Sequence, residues 1–381
     1  MNKRVLFYVQ HLLGIGHIAR ASRVANALAK QGFDVTVVTG GLPVPGFPGD
    51  KICTVALPPV VAANTGFSGL ADRDGNPARE EFLNIRRDLL LATLHDIKPA
   101  IVVIEAFPFG RRQMRFELLP LLSAIADMSP RPKIVSSVRD VLQENRKPGR
   151  DQETVDLIRA HFDAVLVHGD PSFIRLEETF SLAVKIQDRI HYTGLVAPAA
   201  PPAPTEAFGV LVSAGGGAVG RDLLDAALQA SHMVAQDKRW LLIAGPNLPE
   251  DDFQALSMKT PDHVSVVRFR RDFPSLMRGA ELSVSQAGYN TVCDLLIANC
   301  RSILVPFVAG GETEQTVRAR RLADMGIASI ISEDALTAER LAEDIANALS
   351  KPKPVEAGLD LKGADKSAQI LLELLAAGEH S

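Results

Sequence analysis

The chain has 381 residues, which is long for one ordinary domain and a comfortable length for two. Hydrophobic residues make up 46% and charged residues 23%, a globular composition that excludes disorder, fibrous repeats and a disulfide-stapled miniprotein. The net charge of −4 excludes the clustered positive excess that general nucleic-acid binding requires. Three cysteines without a CxxC pair favour a reducing compartment and suggest no zinc site.

The first residues resemble a signal peptide only in part. Lys3 and Arg4 precede an apolar stretch, but Gln10 and His11 interrupt it before a helical pattern begins. A run of about 18 apolar residues, the length that a membrane-spanning helix needs, does not occur in the sequence. We therefore expect a soluble, cytoplasmic protein.

In the first half of the chain, short β-branched apolar runs alternate with helical periodicity. One predicted helix carries Ile18, Ala21, Val24, Ala25 and Leu28 on a single face. Continuous apolar strands separated by helices predict a parallel sheet that is buried on both faces. The predicted strands are residues 5–9, 35–38, 101–104, 133–138 and 164–167.

The alternation stops at residues 196–205 and then starts again. Pro198, Pro201, Pro202 and Pro204 make this stretch unsuitable for the interior of a sheet or a helix, so it predicts a semi-rigid connector. Beyond it we predict strands at residues 210–212, 240–244, 264–267, 282–284, 302–305 and 327–331, and helices at 221–235 and 314–325.

The predicted fold class is α/β, with two doubly wound, Rossmann-like domains that face each other across a cleft. We assign residues 1–195 to the N-terminal domain, 196–208 to a proline-rich linker and 209–362 to the C-terminal domain. Residues 363–381 contain an amphipathic helix that is expected to fold back over the N-terminal domain. Ligands of open α/β sheets bind at the carboxyl ends of the strands, which is where we expect the functional residues.

The first candidate site is the glycine-rich turn after the first predicted strand. Gly14 and Gly16 allow the backbone to approach a ligand, and the free amides of a helix start favour an anion or a substrate oxygen. His17 lies at the carboxyl edge of the sheet and is a residue type suited to proton transfer near neutral pH. We interpret His17 as catalytic and His11 as structural; the alternative is that His17 only caps or packs the helix start.

The second candidate is Gly-Gly-Gly-Ala-Val-Gly at residues 215–220, between a predicted strand and a helix. It matches G-x-G-x-x-G in the right context for a phosphate cradle. A dinucleotide fold also needs an acidic residue about 20 positions on, at the end of the next strand. Here that strand is followed by Gly245, Pro246 and Asn247, so a nucleotide diphosphate fits better and no nicotinamide or flavin cofactor is predicted. The alternative is a tight turn without a ligand.

The third candidate begins with small residues after the strand predicted at 282–284. Ser285 and Gly288 reach the sheet edge, and Asn290 or Thr291 is expected to cap the next helix. Asp294 then lies about one turn inside that helix, where its two carboxylate oxygens suit a pair of vicinal hydroxyls.

A related pattern follows the next predicted strand. Residues 308–313 are glycine-rich, and Glu314 and Gln315 begin another helix. An acid beside an amide offers both acceptors and donors to a hydroxyl-rich sugar. The alternative for Asp294 and Glu314 is that each only complements a helix dipole.

In their order, these motifs resemble those of the two-domain glycosyltransferases of the GT-B type, and most closely glycosyltransferase family 28. That family includes the bacterial N-acetylglucosaminyltransferase that makes lipid II. The likeness is most specific over residues 285–326, where S-x-A-G-x-x-T-x-x-D, V-P-F, E-Q and M-G occur in the family's order. The G-x-G-H-x-x-R at residues 14–20 also resembles related nucleotide-sugar hydrolases.

The resemblance covers most of the chain and implies a nucleotide-sugar donor, usually linked to uridine diphosphate. It places the diphosphate against residues 215–217, the ribose against Asp294, the base against Phe269 and Arg270, and the sugar against Glu314 and Gln315. The full donor-binding set that we predict is Gly14, Gly16, Gly215, Gly216, Gly217, Phe269, Arg270, Ser285, Gly288, Thr291, Asp294, Glu314 and Gln315.

Two departures from the family pattern are visible. The family often has Glu where this chain has Asp294, and the basic residue often found just before the linker is not evident. Arg20, Arg139 and Arg271 are therefore the candidates for a charged partner of the diphosphate.

Sugar transfer needs a stabilised leaving diphosphate and a deprotonated acceptor hydroxyl. Backbone amides at a helix start can do the first without a metal, and His17 can do the second, a role worth roughly 10²–10⁴ in rate. The resemblance implies inversion at the sugar carbon. Asp72 and Asp74 form a D-x-D pattern, but they lie in a polar loop, so we interpret that loop as an acceptor loop and expect no metal.

The acceptor side is less well defined. Residues 107–116 mix aromatic side chains with arginines, including Arg111 and Arg112, and could touch anionic lipid headgroups or an anionic acceptor at the inner membrane face. An ordinary turn that leads into a core helix is the alternative. Glu105, at the end of the preceding strand, is a further acid or base candidate.

We therefore predict a hexosyltransferase that moves a sugar from a nucleotide diphosphate, with a UDP-linked hexose or N-acetylhexosamine as the expected donor, to an unidentified glycan, lipid-linked or small-molecule acceptor. A nucleotide-sugar hydrolase or epimerase on the same fold is the alternative, and a non-catalytic nucleotide-sugar sensor is the third hypothesis.

Overall fold

A computed structural model of the chain describes residues 2–12, 16–62, 69–143, 147–215, 220–308 and 312–378. It consists of two compact units. Unit 1 comprises Met1–Val196 together with Asp360–Ser381, and unit 2 comprises Ala197–Leu359. The chain returns to unit 1 at Asp360, before the predicted boundary at 362, because the Asp360 carbonyl already accepts from the Leu195 amide at 2.7 Å. Val196 and Lys362 then form an isolated β-bridge within unit 1.

Unit 1 is built around a seven-stranded sheet with the order β3-β2-β1-β6-β7-β8-β9, in which all neighbours are parallel. A small antiparallel pair, β4 and β5, lies outside this sheet. The strands are β1 (Arg4–Val9), β2 (Asp34–Thr39), β3 (Cys53–Ala56), β4 (Val61–Ala62), β5 (Leu70–Ala71), β6 (Ile101–Glu105), β7 (Lys133–Arg139), β8 (Ala164–His168) and β9 (Ile190–Tyr192).

Helices cover both faces of this sheet, because alternate side chains of its apolar strands pack into two separate cores. The C-terminal helix packs against the first helix through Ala368, Leu371 and Leu375, which are buried with the apolar face of that helix. The helices of unit 1 are α1 (Gly16–Lys30), α2 (Glu80–Ile97), α3 (Arg115–Ala126), α4 (Arg150–His161) and, after unit 2, α11 (Gly363–Gly378).

Unit 2 repeats the architecture with a six-stranded parallel sheet in the order β12-β11-β10-β13-β14-β15. Its strands are β10 (Val210–Ser213), β11 (Trp240–Ile243), β12 (Val264–Val267), β13 (Leu282–Ser285), β14 (Ser302–Leu304) and β15 (Ala328–Ile330). Its helices are α5 (Arg221–Ser231), α6 (Glu250–Ser257), α7 (Phe273–Gly279), α8 (Tyr289–Ala298), α9 (Glu314–Asp324) and α10 (Ala338–Ser350).

The two-domain α/β prediction is confirmed, with differences in detail. Four strands were not predicted, because they are short or partly exposed and lack a continuous apolar run: β3, β4, β5 and β9. Helix α5 also ends at Ser231 rather than at residue 235, since residues 232–235 continue as a turn before β11. No helix within the described ranges is long and apolar enough to cross a membrane.

A buried ion pair holds together the loops at the carboxyl edge of unit 1. Arg86 and Glu117 are both fully buried, and the guanidinium meets the carboxylate through Nε at 2.8 Å and Nη2 at 2.9 Å. The remaining Arg86 donors reach Gln10 Oε1 at 2.6 Å, the Gly40 carbonyl at 2.8 Å and the Pro58 carbonyl at 2.6 Å. All five guanidinium protons are thus used, and the ends of β1 and β2 are fixed relative to each other.

Candidate active site

The strand order of each sheet reverses at one point, and the candidate residues collect there. In unit 1 the reversal lies between β1 and β6, where His17 follows the first strand and Glu105 ends the second. In unit 2 it lies between β10 and β13, where Gly215 follows one strand and Gln286 the other. The carboxyl ends of strands at such a switch point are where open α/β sheets bind ligands.

In unit 1 the structure brings His17, Glu105 and Arg20 together. His17 Nδ1 lies 3.2 Å from Glu105 Oε1, and Arg20 Nη2 donates to the same carboxylate oxygen. Glu105 and Arg20 are almost fully buried, while 17% of the His17 side chain is exposed. Arg20 was expected as a partner of the diphosphate and Glu105 as a further acid or base. In the structure they form an ion pair, and its carboxylate contacts His17.

The electrostatics of this cluster fix the protonation of His17. Burial, opposed by the hydrogen bond to Glu105 and reinforced by Arg111, Arg20 and Arg139, lowers the pKa of His17 to about 3. Burial alone would raise the pKa of Glu105, but Arg20 and the hydrogen bond with His17 more than offset it and hold that pKa well below its usual range. Neutral His17 therefore faces an ionised carboxylate near neutral pH. A proton on Nδ1 lets the imidazole donate to Glu105 and leaves a lone pair on Nε2, while Arg20 Nη2, a second donor, also lies 3.2 Å from Nδ1.

Arg111 and Arg112 are adjacent in sequence but have different surroundings. Arg112 bonds Glu153 Oε2 at 2.5 Å and the Arg150 carbonyl at 3.0 Å, so it is held by helix α4. Arg111 has a left-handed backbone, with φ at 56°, and its Nε donates to the Gln10 carbonyl at 2.9 Å. Its terminal nitrogens make no hydrogen bond with a described residue, and it interacts electrostatically with Glu105.

The aromatic side chains around these arginines belong to the core of unit 1. Phe107 is 1% exposed, and Phe109 packs edge-to-face on Phe180 with ring centroids 5.2 Å apart. Phe116 is also packed against the same core. Residues 107–116 are therefore a turn that leads into helix α3, and their aromatic rings are directed inward rather than toward a membrane.

In unit 2 the turns after β10 and β11 require glycine. Gly215 and Gly245 have φ values of +77° and +84°, and a Cβ on Gly245 would lie 2.4 Å from the Gly215 carbonyl oxygen. A Cβ on Gly220 would lie 2.2 Å from the Ala214 Cβ, so this glycine allows the helix to pack closely on the strand. Gly14, Gly216 and Gly217 lie outside the described residues.

Helix α8 (Tyr289–Ala298) begins two or three residues earlier than a cap at Asn290 or Thr291 would place it. Its N-cap is Gly288, which has no capping side chain, so Asn290 and Thr291 lie inside the first turn and do not cap it. Asp294 lies in the second turn and is 8% exposed. Ser285 ends β13 and is 1% exposed, with its hydroxyl making no hydrogen bond to a described residue.

Gln315 joins two loops of this edge. Its Oε1 accepts from the Ala287 amide at 3.0 Å and from the Phe307 amide at 3.2 Å, so the loops after β13 and β14 are held together by one side chain. The carbonyl is thereby used, so a contact between Gln315 and a sugar would have to come from its amide nitrogen; that contact stays a prediction.

Arg318, which the sequence analysis did not single out, lies one turn after Glu314. Arg318 and Glu314 are 1% and 3% exposed, and Nη2 lies 3.9 Å from Oε2. Arg318 Nη1 also donates to the Ala287 carbonyl at 2.9 Å. The i, i+4 spacing of an acid and a base on the face of α9 that packs inward is the signal that could have identified this pair.

The residues expected at the base have contrasting environments. Phe269, just beyond β12, is 61% exposed, which leaves its ring available for stacking. Arg270 is bonded to Asp272 at 2.7 Å and to Glu206 at 2.9 Å, and these hydrogen bonds raise its pKa further. Arg271 is exposed.

The D-x-D pattern forms a turn. Asp72 Oδ1 accepts from the backbone amides of Asp74 and Asn76, each at 2.9 Å, and these bonds lower the pKa of Asp72. Within the described ranges, no three His, Cys, Asp or Glu residues are grouped as metal ligands.

Residues 210–369 match the family model described as glycosyltransferase family 28 C-terminal domain. A Myxococcus xanthus protein named UDP-N-acetylglucosamine–N-acetylmuramyl-(pentapeptide) pyrophosphoryl-undecaprenol N-acetylglucosamine transferase is 35% identical over 112 residues, or 29% of either chain. The Phenylobacterium zucineum protein of the same name is 31% identical over 159 residues, or 41% of this chain and 43% of that one. The chain thus spans less than half of these two relatives.

Solved structures match almost the whole chain. The calicheamicin glycosyltransferase CalG4 superposes with a TM-score of 0.66 at 17% identity, over 99% of this chain and 98% of that one. MurG of Acinetobacter baumannii gives a TM-score of 0.61 at 15% identity, over 98% of this chain and 99% of that one. The glycosyltransferase VinC in complex with DTDP gives a TM-score of 0.64 at 14% identity, over 99% of this chain and 100% of that one. The chain therefore has the GT-B fold of these solved structures, and its residues 210–369 are similar to the glycosyltransferase family 28 C-terminal domain.

Proposed function

We propose that this protein is a glycosyltransferase that moves a sugar from a nucleotide diphosphate to an acceptor hydroxyl, with inversion and without a metal ion. The observation that carries the proposal is the His17–Glu105 pair. A neutral imidazole held through Nδ1 by a buried carboxylate presents Nε2 as a base, and it lies at the switch point of its sheet.

The reaction follows from this arrangement. The acceptor oxygen attacks the anomeric carbon as its proton passes to His17 Nε2, and the bond from that carbon to the diphosphate oxygen breaks. The positive charge that forms on the imidazole is stabilised by Glu105 through Nδ1, while Arg20 keeps Glu105 ionised. One displacement on the face opposite the leaving group inverts the sugar carbon.

The donor proposal rests on unit 2. Asp294, proposed for the ribose, and the Gln315 amide nitrogen, proposed for the sugar, follow the adjacent strands β13 and β14. Phe269, proposed for the base, follows β12, an outer strand of the same sheet. The names of the curated relatives state UDP-N-acetylglucosamine as their donor, and we propose the same donor here. Backbone amides after β10 and at the start of α5 would stabilise the leaving diphosphate.

The acceptor proposal rests on unit 1 and on the same names. The relatives are named for a pyrophosphoryl-undecaprenol acceptor, so we propose a lipid-linked acceptor with an anionic group, which would bring the protein to a membrane surface. Arg111 is the favoured contact for that anion, because its terminal nitrogens have no hydrogen-bond partner among described residues, whereas Arg112 is bonded to Glu153.

The test is a binding and turnover experiment. Isothermal titration with UDP, GDP and dTDP, without added metal, should give saturable binding of one nucleotide, which Asp294→Ala weakens at least tenfold. Asp324→Asn is the matched control, because Asp324 is an exposed acid at the far end of α9 and should not change the affinity.

Turnover is followed as UDP release from UDP-N-acetylglucosamine, with and without a polyprenyl-pyrophosphoryl glycan. Acceptor-dependent release that His17→Ala abolishes supports transfer. Release at the same rate without acceptor identifies the hydrolase alternative, and no nucleotide binding at all refutes the donor site.

A further inference from the structure

A second buried histidine is connected to Glu105 through its other carboxylate oxygen. Ser137 Oγ donates to Glu105 Oε2 at 2.5 Å, and it lies 2.9 Å from His168 Nε2. His168 Nδ1 in turn lies 3.0 Å from Thr193 Oγ1. These four residues come from β6, β7, β8 and the segment after β9, which are successive neighbours in the sheet.

The direction of each bond can be assigned from the number of protons available. Glu105 is a carboxylate and only accepts, so the single hydroxyl proton of Ser137 is committed to Oε2. The contact between Ser137 Oγ and His168 Nε2 then needs a proton on Nε2. A neutral His168 then has no proton left for Nδ1, which has to accept from the Thr193 hydroxyl. The carbonyls of Gly194, at 2.8 Å, and Val167, at 3.3 Å, compete for that hydroxyl proton.

Burial excludes water from these four side chains and keeps His168 uncharged. Glu105, Ser137, His168 and Thr193 are each at most 1% exposed. Burial lowers the pKa of His168 to about 3, with Arg20 acting in the same direction and Glu105 and Asp140 opposing it. An uncharged His168 carries one ring proton, and the commitment of the Ser137 hydroxyl to Glu105 favours Nε2 as its position.

We propose that Ser137 and His168 are positioning residues for His17, and that with Thr193 they form a one-directional hydrogen-bond chain that fixes the Glu105 carboxylate and, through it, the proton on His17 Nδ1. This inference rests on the proposed function, because it takes His17 as the base. Neither Ser137 nor His168 was marked by a motif in the sequence.

This row of hydrogen bonds predicts an effect on His17 that a merely structural role would not produce. When Ser137 is replaced by alanine, Oε2 loses a donor, so the negative charge of Glu105 is less neutralised and the carboxylate is held less firmly. The less neutralised carboxylate stabilises the His17 imidazolium and raises the pKa of His17, while its weaker anchoring orients the imidazole less well. We expect Ser137→Ala to lower kcat about tenfold with little change in KM, and to shift the acidic limb of the pH–kcat profile to higher pH.

The matched control is Ser136→Ala. Ser136 is the neighbouring residue on β7, is fully buried and donates to the Phe107 carbonyl at 2.8 Å, outside the chain of bonds. Its loss should reduce stability in a similar way and leave the pH–kcat profile unchanged. Ser137→Thr keeps the hydroxyl and should restore most of the activity.

A spectroscopic measurement tests this row of hydrogen bonds without following the reaction. Nitrogen-15 NMR of the imidazole groups in the full-length protein at pH 7 should show His168 with its proton on Nε2 and His17 with its proton on Nδ1. The midpoint of the His17 titration should rise in Ser137→Ala and stay in place in Ser136→Ala.

A proton on His168 Nδ1, two protons on His168, or equal profiles for the two alanine variants would overturn the inference. Failure of the proposed function looks different: the wild-type protein would bind no nucleotide and release no UDP while the same spectra showed the assigned protons.

Discussion

Lowering the pH should unfold unit 1 before unit 2, because unit 1 contains buried neutral histidines. Burial lowers the pKa of His17 and of His168 to about 3, from an ordinary value of 6.5. Between those values the unfolded chain binds a proton at each site and the folded chain does not. Stability is therefore fully present above pH 6.5 and decreases as the pH falls below it.

The size of the effect follows from the same shifts. At pH 5, each histidine favours unfolding by about 2 kcal/mol relative to pH 7.5, or about 4 kcal/mol for the pair. With a urea dependence of about 2–3 kcal/mol per molar, this shifts the unfolding midpoint of unit 1 by about 1–2 M. Burial also lowers the pKa of three further histidines, all in unit 1: His11, His161 and His191.

The assay uses the single tryptophan as a probe of one unit. Trp240 is fully buried in β11 of unit 2, so its fluorescence follows unit 2, whereas far-UV circular dichroism follows both units. On going from pH 7.5 to pH 5, the circular-dichroism transition should split and its first part should move to lower urea, with a much smaller change in fluorescence. His168→Gln should reduce the pH dependence by about 2 kcal/mol, the contribution of that one histidine. A unit 1 midpoint that is the same at both pH values would refute the reasoning.

Three further outcomes are expected. Glu105→Gln leaves Arg20 buried without its carboxylate, so unit 1 should lose about 3–5 kcal/mol in urea unfolding and kcat should fall at least tenfold, with UDP affinity unchanged in titration. Arg111→Ala should weaken the binding of inorganic pyrophosphate at saturating UDP, whereas Arg112→Ala should not; equal effects in calorimetry would contradict the acceptor-side assignment. Gly245→Ala places a Cβ 2.4 Å from a backbone carbonyl at a φ of +84°, so it should lower the thermal midpoint of unit 2 and reduce nucleotide affinity, both measured on the same sample.

The sequence identified the parts of the fold that depend on local pattern. Apolar runs such as residues 101–104 predicted buried parallel strands, and the alternation with helices predicted two α/β domains, because a strand buried on both faces must be apolar throughout. The two outer strands of unit 1 were missed since they are short and partly exposed, as in Cys53–Ala56.

The candidate residues were found where glycine or a titratable group follows a predicted strand. His17 and Gly215 lie at the switch points of the two sheets, and Gln315 follows the strand next to the switch point of unit 2, because every parallel strand ends at the same edge. What each side chain does at that edge was not predictable. The Gln315 side-chain carbonyl accepts hydrogen bonds from two backbone amides. Arg20 forms an ion pair with Glu105, which lies 85 residues further along the sequence.

The sequence by itself therefore determined the fold class, the order of the elements and the edge of each sheet at which chemistry is expected. Only the tertiary structure decided that Glu105, Ser137 and His168 form a continuous row behind His17. Those residues belong to three strands that are adjacent in the sheet but 31 or more positions apart in the chain. Their hydrogen bonds depend on strand register, and register is set by the packing of the whole sheet rather than by any local motif.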